Sequence, residues 1–465
     1  MSQPSSSAGA PVKGLPRSSA RIPWISRRAG GRTTQTAALA RRILGLAALA
    51  GMAAASLAIV AGAQSGLGIL VPAAKLRYPG WLHGPLAGLE LDLTPGGLAW
   101  LLLAMCACYL LALACADSIP IRAGLAAVAG LHLLFVLAPP LLSSDVFGYI
   151  DLGRLGAVHG IDPYSAAHTV LPKDDVYLYR RWRSDLPSPY GPLFVGAMYP
   201  LGALGVPAAL WSLKAIFGAA SLGIAGLVWR CARRLGRDPL PAVLFLGLNP
   251  ILLLWGVGGA HNDFLFVLAL MGAVALSLEG RERLSGAALA AGAAIKASSG
   301  VPLLFLLAGA RERKQALTGA LVTGALAGVF ALIVFGTDVV RMLTSLRDQQ
   351  SAVALFSVPN QVGEWLGFGG LTAGIRTLAV VLLAGSLVWL LRRTWRGELP
   401  WFEGAAWATA VLLVTSAWLL PWYLVWLLPL AALSADRRLR LAALAIGAFV
   451  VYTRADLWLG LPPPG

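Results

Sequence analysis

Apolar residues run along this chain in long unbroken stretches rather than in alternation. They cover 43–63, 97–116, 123–142, 207–229, 241–257, 263–279, 316–335, 372–391, 402–419 and 441–460. Stretches of this length cross about 30 Å of hydrocarbon as helices. A barrel strand would alternate, and lipid tolerates no unsatisfied backbone, so helices are the only fitting spans. Three further pieces, 191–205, 284–309 and 421–433, are short or interrupted by Pro and Gly. Such pieces more often re-enter or lie buried than cross. The pattern predicts an all-α polytopic integral membrane protein with about 11–13 transmembrane helices.

The connections alternate in character. Short basic loops hold Arg230, Arg233, Arg234 and Arg237, then Arg281 and Arg283, then Arg311, Arg313 and Lys314, then Arg392, Arg393 and Arg396, then Arg437, Arg438 and Arg440. The positive-inside rule puts these in the cytoplasm. The outer side then receives 64–95, 143–190, the turn near His261, and 337–370. Loop 143–190 sets five bases (Arg154, Lys173, Arg180, Arg181, Arg183) against six acids (Asp145, Asp151, Asp162, Asp174, Asp175, Asp185). The polar, chemistry-bearing part of the chain therefore faces outward.

Composition fits this class and narrows it. Hydrophobic residues make up 58% and charged residues 12%, with a mean hydropathy of +0.73. A soluble domain carries about 25% charged residues. The net charge of +16 would suit nucleic acid, but its distribution argues otherwise. Lys13, Arg17, Arg21, Arg27, Arg28, Arg32, Arg41 and Arg42 precede the first apolar run with no acid among them. That is a cytoplasmic anchor aided by anionic lipid, not a nucleic-acid arm. Rich in Ser, Gly and Pro, residues 1–42 are expected to be a disordered tail, with 43–465 one transmembrane domain. No short apolar core with a small-residue cleavage site follows the tail, so the first run is read as a retained span. Cys106, Cys108, Cys115 and Cys231 show neither metal spacing nor a disulfide framework. No fixed-period repeat supports an inverted-repeat transporter. Phosphate-loop, dinucleotide and zinc motifs are absent, which leaves nucleotide and nicotinamide chemistry unsupported.

The candidate residues sit in and around the outer loops. Asp145 follows Pro139-Pro140, where an apolar run ends. It can cap a helix over 146–158, and it can also act as a proton acceptor at the membrane face. Asp151 and Arg154 stand three apart, close enough on a helix to pair with each other; the competing reading gives Arg154 a phosphate. Tyr149 falls on the Asp145 face. Gly160-Ile-Asp-Pro-Tyr164 is a turn carrying Asp162 and Tyr164, and Ser188-Pro-Tyr-Gly-Pro192 is a rigid re-entry carrying Tyr190. Pro250 after Asn249 breaks an apolar run. Gly258-Gly-Ala-His-Asn-Asp263 offers His261, Asn262 and Asp263 either as a helix cap or toward a ligand; one His with one Asp is too few for a metal. Lys296, between two short apolar pieces, costs about 2.5–3.5 kcal/mol at mid-bilayer. Ser298-Ser299-Gly300 beside it would let backbone N–H groups and the ammonium converge on an anion. Asn360 and Gln361 in the second outer loop, and Trp422 and Tyr423 after Pro421, complete the set. Aromatic rings there serve as belt residues or stack on a sugar.

In order, Ser-Asp-Val-Phe-Gly-Tyr149, Gly-Ile-Asp-Pro-Tyr164, Ser-Pro-Tyr-Gly-Pro-Leu-Phe194, Asn-Pro250, Gly-Gly-Ala-His-Asn-Asp263, Ile-Lys-Ala297 and Pro-Trp-Tyr423 resemble one family. It is the bacterial polyprenol-phosphomannose-dependent alpha-1,6-mannosyltransferases, of the GT-C class of membrane glycosyltransferases. The resemblance covers about 123–433. It implies a GT-C type helical bundle in the bacterial plasma membrane, with the N-terminus cytoplasmic. It implies an inverting transfer of mannose from polyprenyl-phosphate mannose to a mannan or glycolipid acceptor on the outer side. Asp145 would be the base, with Lys296 and Arg154 near the donor phosphate. Tyr149, Asp151, Asp162, Tyr164, Tyr190, His261, Asn262, Asp263, Asn360, Gln361, Trp422 and Tyr423 would serve substrate binding. No cofactor is implied, since the lipid-phosphate sugar is a substrate; dependence on a divalent metal stays open. The alternative is a transporter or flippase of a lipid-linked sugar, which shares the broken helices and Lys296.

Overall fold

A computed structural model of the chain describes residues 31–66, 68–72, 78–165, 171–180 and 186–454, without the side chains of 31–34 and 349–350. Most of the tail expected over 1–42 lies outside the described residues. The chain divides into Met1–Ala40 and Arg41–Gly465. Of the first unit, only the start of the helix Gly31–Gln64 is described. That helix begins ahead of the apolar run, where Ala-Ala-Leu-Ala and Arg41-Arg42 are strong helix formers.

Every described element is helical, as the apolar runs predict, in accord with a polytopic membrane bundle. Five segments are long and apolar enough to span: Gln35–Gln64, Pro95–Ala114, Val206–Arg234, Arg313–Asp348 and Ala373–Trp395. Shorter apolar helices accompany them at Ile121–Leu137, Asp263–Leu278, Ala297–Gly309, Trp401–Thr415 and Pro421–Leu433. The helices Arg313–Phe335 and Ala373–Trp395 leave large apolar side chains such as Leu326, Ile333, Val381 and Trp389 exposed. Lipid is the solvent such faces suit.

Several spans are broken, and the breaks build the site. The run 241–257 is not one helix. It consists of Pro239–Gly247 and a π-helical stretch, Leu252–Val257. Pro250 has no N–H to continue the ladder. Asn249 fills the gap: its Oδ1 accepts the N–H groups of Ile251 at 3.0 Å and Leu252 at 3.3 Å. The piece 284–309 splits into Glu282–Ile295 and Gly300–Gly309, with Lys296 extended between them (φ −149°, ψ 125°). The 421–433 segment is a 3-10 turn, Pro421–Trp426, followed by Leu428–Leu433.

The basic loops gather at one end of the bundle. Arg230 pairs with Glu279, the Arg311 N–H approaches Glu282 Oε1 at 3.4 Å, and Arg313 donates to the Trp395 carbonyl at 3.0 Å. Arg237 donates to the Leu433 carbonyl, and Ser434 donates to Glu403 at 3.1 Å. Helix Val206–Arg234 runs from the opposite end toward this one. Its Lys214 and Arg230 lie about 24 Å apart along the axis at 1.5 Å per residue.

At that opposite end stands helix Asp145–His159, one residue longer at each end than expected. Close glycine contacts seat it. A Cβ at Gly153 would collide with the Met198 carbonyl, and one at Gly202 with the Gly153 backbone. The re-entry at Gly191 is equally tight. Its N–H donates to the Ile295 carbonyl at 3.0 Å, and a Cβ there would strike the Ala294 carbonyl. Tyr190 is thereby fixed beside Lys296.

Candidate active site

Asp145 occupies the first turn of its helix, and its carboxylate makes no capping bond. The capping reading therefore gives way: Ser144 is the N-cap, and the Asp145 N–H donates to Ser143 Oγ at 3.1 Å. Its carboxylate turns instead into a cavity of about 320 Å³ whose walls include Ser144, Tyr149, Asp151, Arg180, Tyr190, Lys296, Ser345, Asp348, Trp418, Trp422 and Tyr423. The two charges that sequence placed 151 positions apart, Asp145 and Lys296, open onto one chamber. Burial pushes the Asp145 carboxyl up to about 6; the Lys296 charge opposes this and the Asp263 charge adds to it.

Behind this wall lies the His261-Asn262-Asp263 turn, buried completely. The His261 ring stacks on Trp422, with centroids 3.7 Å apart and planes 16° apart. Its Nδ1 stands 3.6 Å from Asp145 Oδ2. Tyr149 donates to Asn262 Oδ1 at 3.4 Å and meets Tyr190 edge to face. Asp263 Oδ1 accepts both Lys296 Nζ at 2.7 Å and Trp426 Nε1 at 2.6 Å. The Lys296 ammonium also lies 5.9, 5.4 and 5.6 Å from the ring centres of Tyr190, Tyr423 and Trp426. The result is an aromatic box around a cation whose charge a buried carboxylate already balances.

Two segments that deliver these groups are strained. Among the described residues, only Leu142 (φ 59°) and Ala260 (φ 56°) are non-glycine residues in left-handed backbone. Leu142 stands three positions before Asp145, and Ala260 directly before His261. Such strain persists only where surroundings over-determine it. A node supplies that here. The Gly258 carbonyl accepts the Leu141 N–H at 3.0 Å and Lys214 Nζ at 3.0 Å. Lys214 is fully buried in helix Val206–Arg234, deeper than Lys296, whose side chain is 16% exposed. The sequence reading passed Lys214 by and assigned the cost of a mid-bilayer ammonium to Lys296 alone. A lone ammonium inside the 207–229 run was the available signal.

Other candidates go elsewhere. Arg154 does not pair with Asp151. It donates to Asp174 at 2.8 Å, which also accepts from His159 at 2.6 Å, and it is absent from the cavity wall. Asp151 pairs with Arg180 at 2.9 Å, both buried in the cavity wall. Asp162 Oδ1 accepts the Tyr164 N–H at 2.9 Å, and the buried Tyr164 hydroxyl donates to the Tyr190 carbonyl at 2.7 Å. These two support the re-entry from behind. Asn360 and Gln361 both donate to the Leu355 carbonyl, at 2.9 and 3.0 Å, and shape their own loop. From the 337–370 segment it is instead helix Met342–Ser351 that reaches the cavity, through Ser345 and Asp348. Among the described residues no cluster of three or more His, Cys, Asp or Glu is placed to hold a metal ion.

Comparison with known proteins identifies the lineage of this arrangement. Residues 42–313 match the family described as alpha-(1->6)-mannopyranosyltransferase, N-terminal domain. The chain belongs to this family. Residues 352–455 match the MptB C-terminal domain. The chain is 30% identical over 341 residues to alpha-(1->6)-mannopyranosyltransferase A of Mycobacterium tuberculosis, covering 67% of this chain and 65% of that protein. Alpha-(1->6)-mannopyranosyltransferase B of Corynebacterium glutamicum is 26% identical over 342 residues, or 64% of this chain and 56% of that protein. A probable alpha-(1->6)-mannopyranosyltransferase of Mycolicibacterium smegmatis is 26% identical over 367 residues, 67% and 65%. The chain thus spans less than two thirds of the length of these relatives. No solved structure matches it. Asp145, His261, Lys296 and Trp422 all fall within the two matched regions.

Proposed function

We propose that this family member is a membrane glycosyltransferase that moves mannose from polyprenyl-phosphate mannose to a hydroxyl of a mannan or glycolipid. The observation that carries the reading is the shared chamber of Asp145 and Lys296. It lies at the end of the bundle opposite the basic loops. If those loops are cytoplasmic, as the positive-inside rule has it, the chamber opens on the outer side of the plasma membrane.

The chemistry is one displacement. The Asp145 carboxylate takes the proton of the acceptor hydroxyl as that oxygen bonds to mannose C1. The bond from C1 to the phosphate oxygen breaks, and its electron pair leaves with polyprenyl phosphate. Lys296, with its aromatic box, offsets the charge that develops on the leaving phosphate. An inverting enzyme that makes an alpha linkage needs a donor in the beta configuration. A base poised near pH 6 is matched to this task at neutral pH. Arg154 is not given the phosphate, because it does not line the cavity, whereas Lys296 does.

The test is incubation of membranes with labelled polyprenyl-phosphate mannose and a mannoside acceptor. Label should pass to the acceptor with the native chain and not with Asp145→Asn. Transfer that proceeds equally in both would sink the assignment of Asp145.

A further inference from the structure

Both ring nitrogens of His261 are buried, and neither makes a hydrogen bond among the described residues. The ring is nevertheless held from several sides. One face lies on Trp422, 3.7 Å away between centroids. Its Nε2 edge is closed by Gly259, where a Cβ would stand only 2.9 Å from Nε2. Its Nδ1 edge looks at Asp145, 3.6 Å from Oδ2. The chain accepts left-handed backbone at Ala260 (φ 56°) directly before it. Buried polar atoms without partners cost stability, so a ring pinned in this way needs a task that repays it.

The surroundings fix where the ring carries its proton. Burial, with the Lys296 charge adding to it, pushes His261 well below the ordinary histidine range, so the ring is neutral at working pH. A neutral imidazole has one N–H, and an ionised carboxylate only accepts. A bare Nδ1 facing Asp145 Oδ2 would set lone pair against lone pair. The proton therefore belongs on Nδ1, aimed at Oδ2. At 3.6 Å this is too long for a hydrogen bond. Catalytic contacts of this kind tighten when substrate binds. With Oδ2 so engaged, Oδ1 is the oxygen left for an acceptor hydroxyl.

We propose that His261 is a positioning residue: its Nδ1–H closes onto Asp145 Oδ2 in the substrate complex, aims Oδ1 at the acceptor hydroxyl and favours the ionised carboxylate. This rests on the transfer reading of Asp145. No proton passes to the ring, because Nε2, sealed by Gly259, gives it no exit.

The two amides serve as shape probes. Asn places its nitrogen where histidine has Nδ1, and Gln places it where histidine has Nε2. His261→Phe should lower kcat about tenfold with both KM values little changed. It should also raise the acid limb of kcat/KM by about one pH unit from its place near 6, each effect the worth of one hydrogen bond to a charged group. His261→Asn should recover most of both effects, and His261→Gln neither. Lys296, Asp263, Tyr149, Tyr190 and Tyr423 also act on Asp145. Asp151, Arg180 and Asp348 line the same cavity. All of these are kept in every variant, so a moved limb reports the lost N–H. An Asn variant no better than Gln, or a limb that stays put in Phe, would overturn the role. Where Phe does not fold, the comparison of Asn with Gln decides.

A second measurement needs no turnover. Nitrogen NMR of the histidine-labelled protein should show the proton of His261 on Nδ1, its signal being the one lost in His261→Asn. A proton on Nε2 overturns the inference. Transfer retained by Asp145→Asn overturns the transfer reading and this role with it, whereas an unmoved limb beside an inactive Asp145→Asn overturns the role alone.

Discussion

Replacing Asp145 with Asn separates catalysis from stability, because the two should move in opposite directions. Burial raises the carboxyl from the usual 3.8 to about 6, so at neutral pH the folded protein holds an ionised group that it would rather protonate. At 1.36 kcal/mol per tenfold in acidity, that strain is about 3 kcal/mol. Asn keeps the shape and removes the charge. At pH 8 the variant should therefore unfold at a higher temperature than the native protein. The raised carboxyl favours the folded state only when protonated, so the native protein loses stability as pH rises from about 4 through about 6. Below pH 4 the two proteins should converge. Mannosyl transfer should meanwhile fall by about 10²–10⁴, the usual worth of a positioned base. In the native protein, kcat/KM should decline as pH falls below about 6. The assays are tryptophan-monitored unfolding in detergent and label transfer from polyprenyl-phosphate mannose, each across pH. Retained transfer, or a variant that is less stable at pH 8 than at pH 4 relative to the native chain, would refute the reasoning.

Three further outcomes are expected. Lys296→Met leaves the buried Asp263 without its cation; thermal unfolding should show about 3–5 kcal/mol of lost stability, restored by adding Asp263→Asn. The donor KM should stay raised in that double variant, and an unchanged donor KM would remove Lys296 from the phosphate. Lys214→Met frees the Gly258 carbonyl of its ammonium, so kcat should drop with both KM values little altered, and an unaltered kcat would mean that the node does not position Asp145. Finally, a cysteine at the exposed Asp175 should react with an impermeant thiol reagent on intact cells, while one at the exposed Arg283 should react only after lysis. The reverse pattern would invert the topology. Asp174 is unsuitable for this purpose, being buried under Arg154 and His159.

How much of this was legible in the sequence depends on which interactions are local. Membrane spans are one-dimensional signals, and the predicted runs fall on helices almost throughout. Breaks at Pro were legible too: the split at Lys296 and the short 421–433 segment were anticipated. The π-helical stretch after Asn249 was not, because it follows from how Asn249 and Gly258 are bonded rather than from composition. The site motifs converge because each lies at the helix end away from the basic loops, an N-terminus for Asp145 and Asp263 and a C-terminus for Lys296. Helices Asp263–Leu278 and Glu282–Ile295 form an antiparallel pair, and their far ends, Asp263 and Lys296, must therefore meet.

Partner choice is where sequence reasoning fails, and Asp151 with Arg154 shows why. Spacing by three on a helix offers an ion pair worth about 0.2–0.5 kcal/mol in an isolated helix. The folded loop offers each residue something stronger. Arg154 reaches both oxygens of Asp174, at 2.8 and 3.1 Å, and Asp151 takes Arg180 in a nearly dry wall. Both better partners lie more than 19 positions away, in the segment 171–180, which no periodicity marks. A charge in a long loop of a membrane protein is thus assigned by burial, because an unpaired buried ion costs several kcal/mol while a solvated local pair gains a fraction of one. The same inequality explains Lys214. An isolated ammonium in a span is affordable only where it fixes something else, and here it fixes the turn that presents His261 to Asp145.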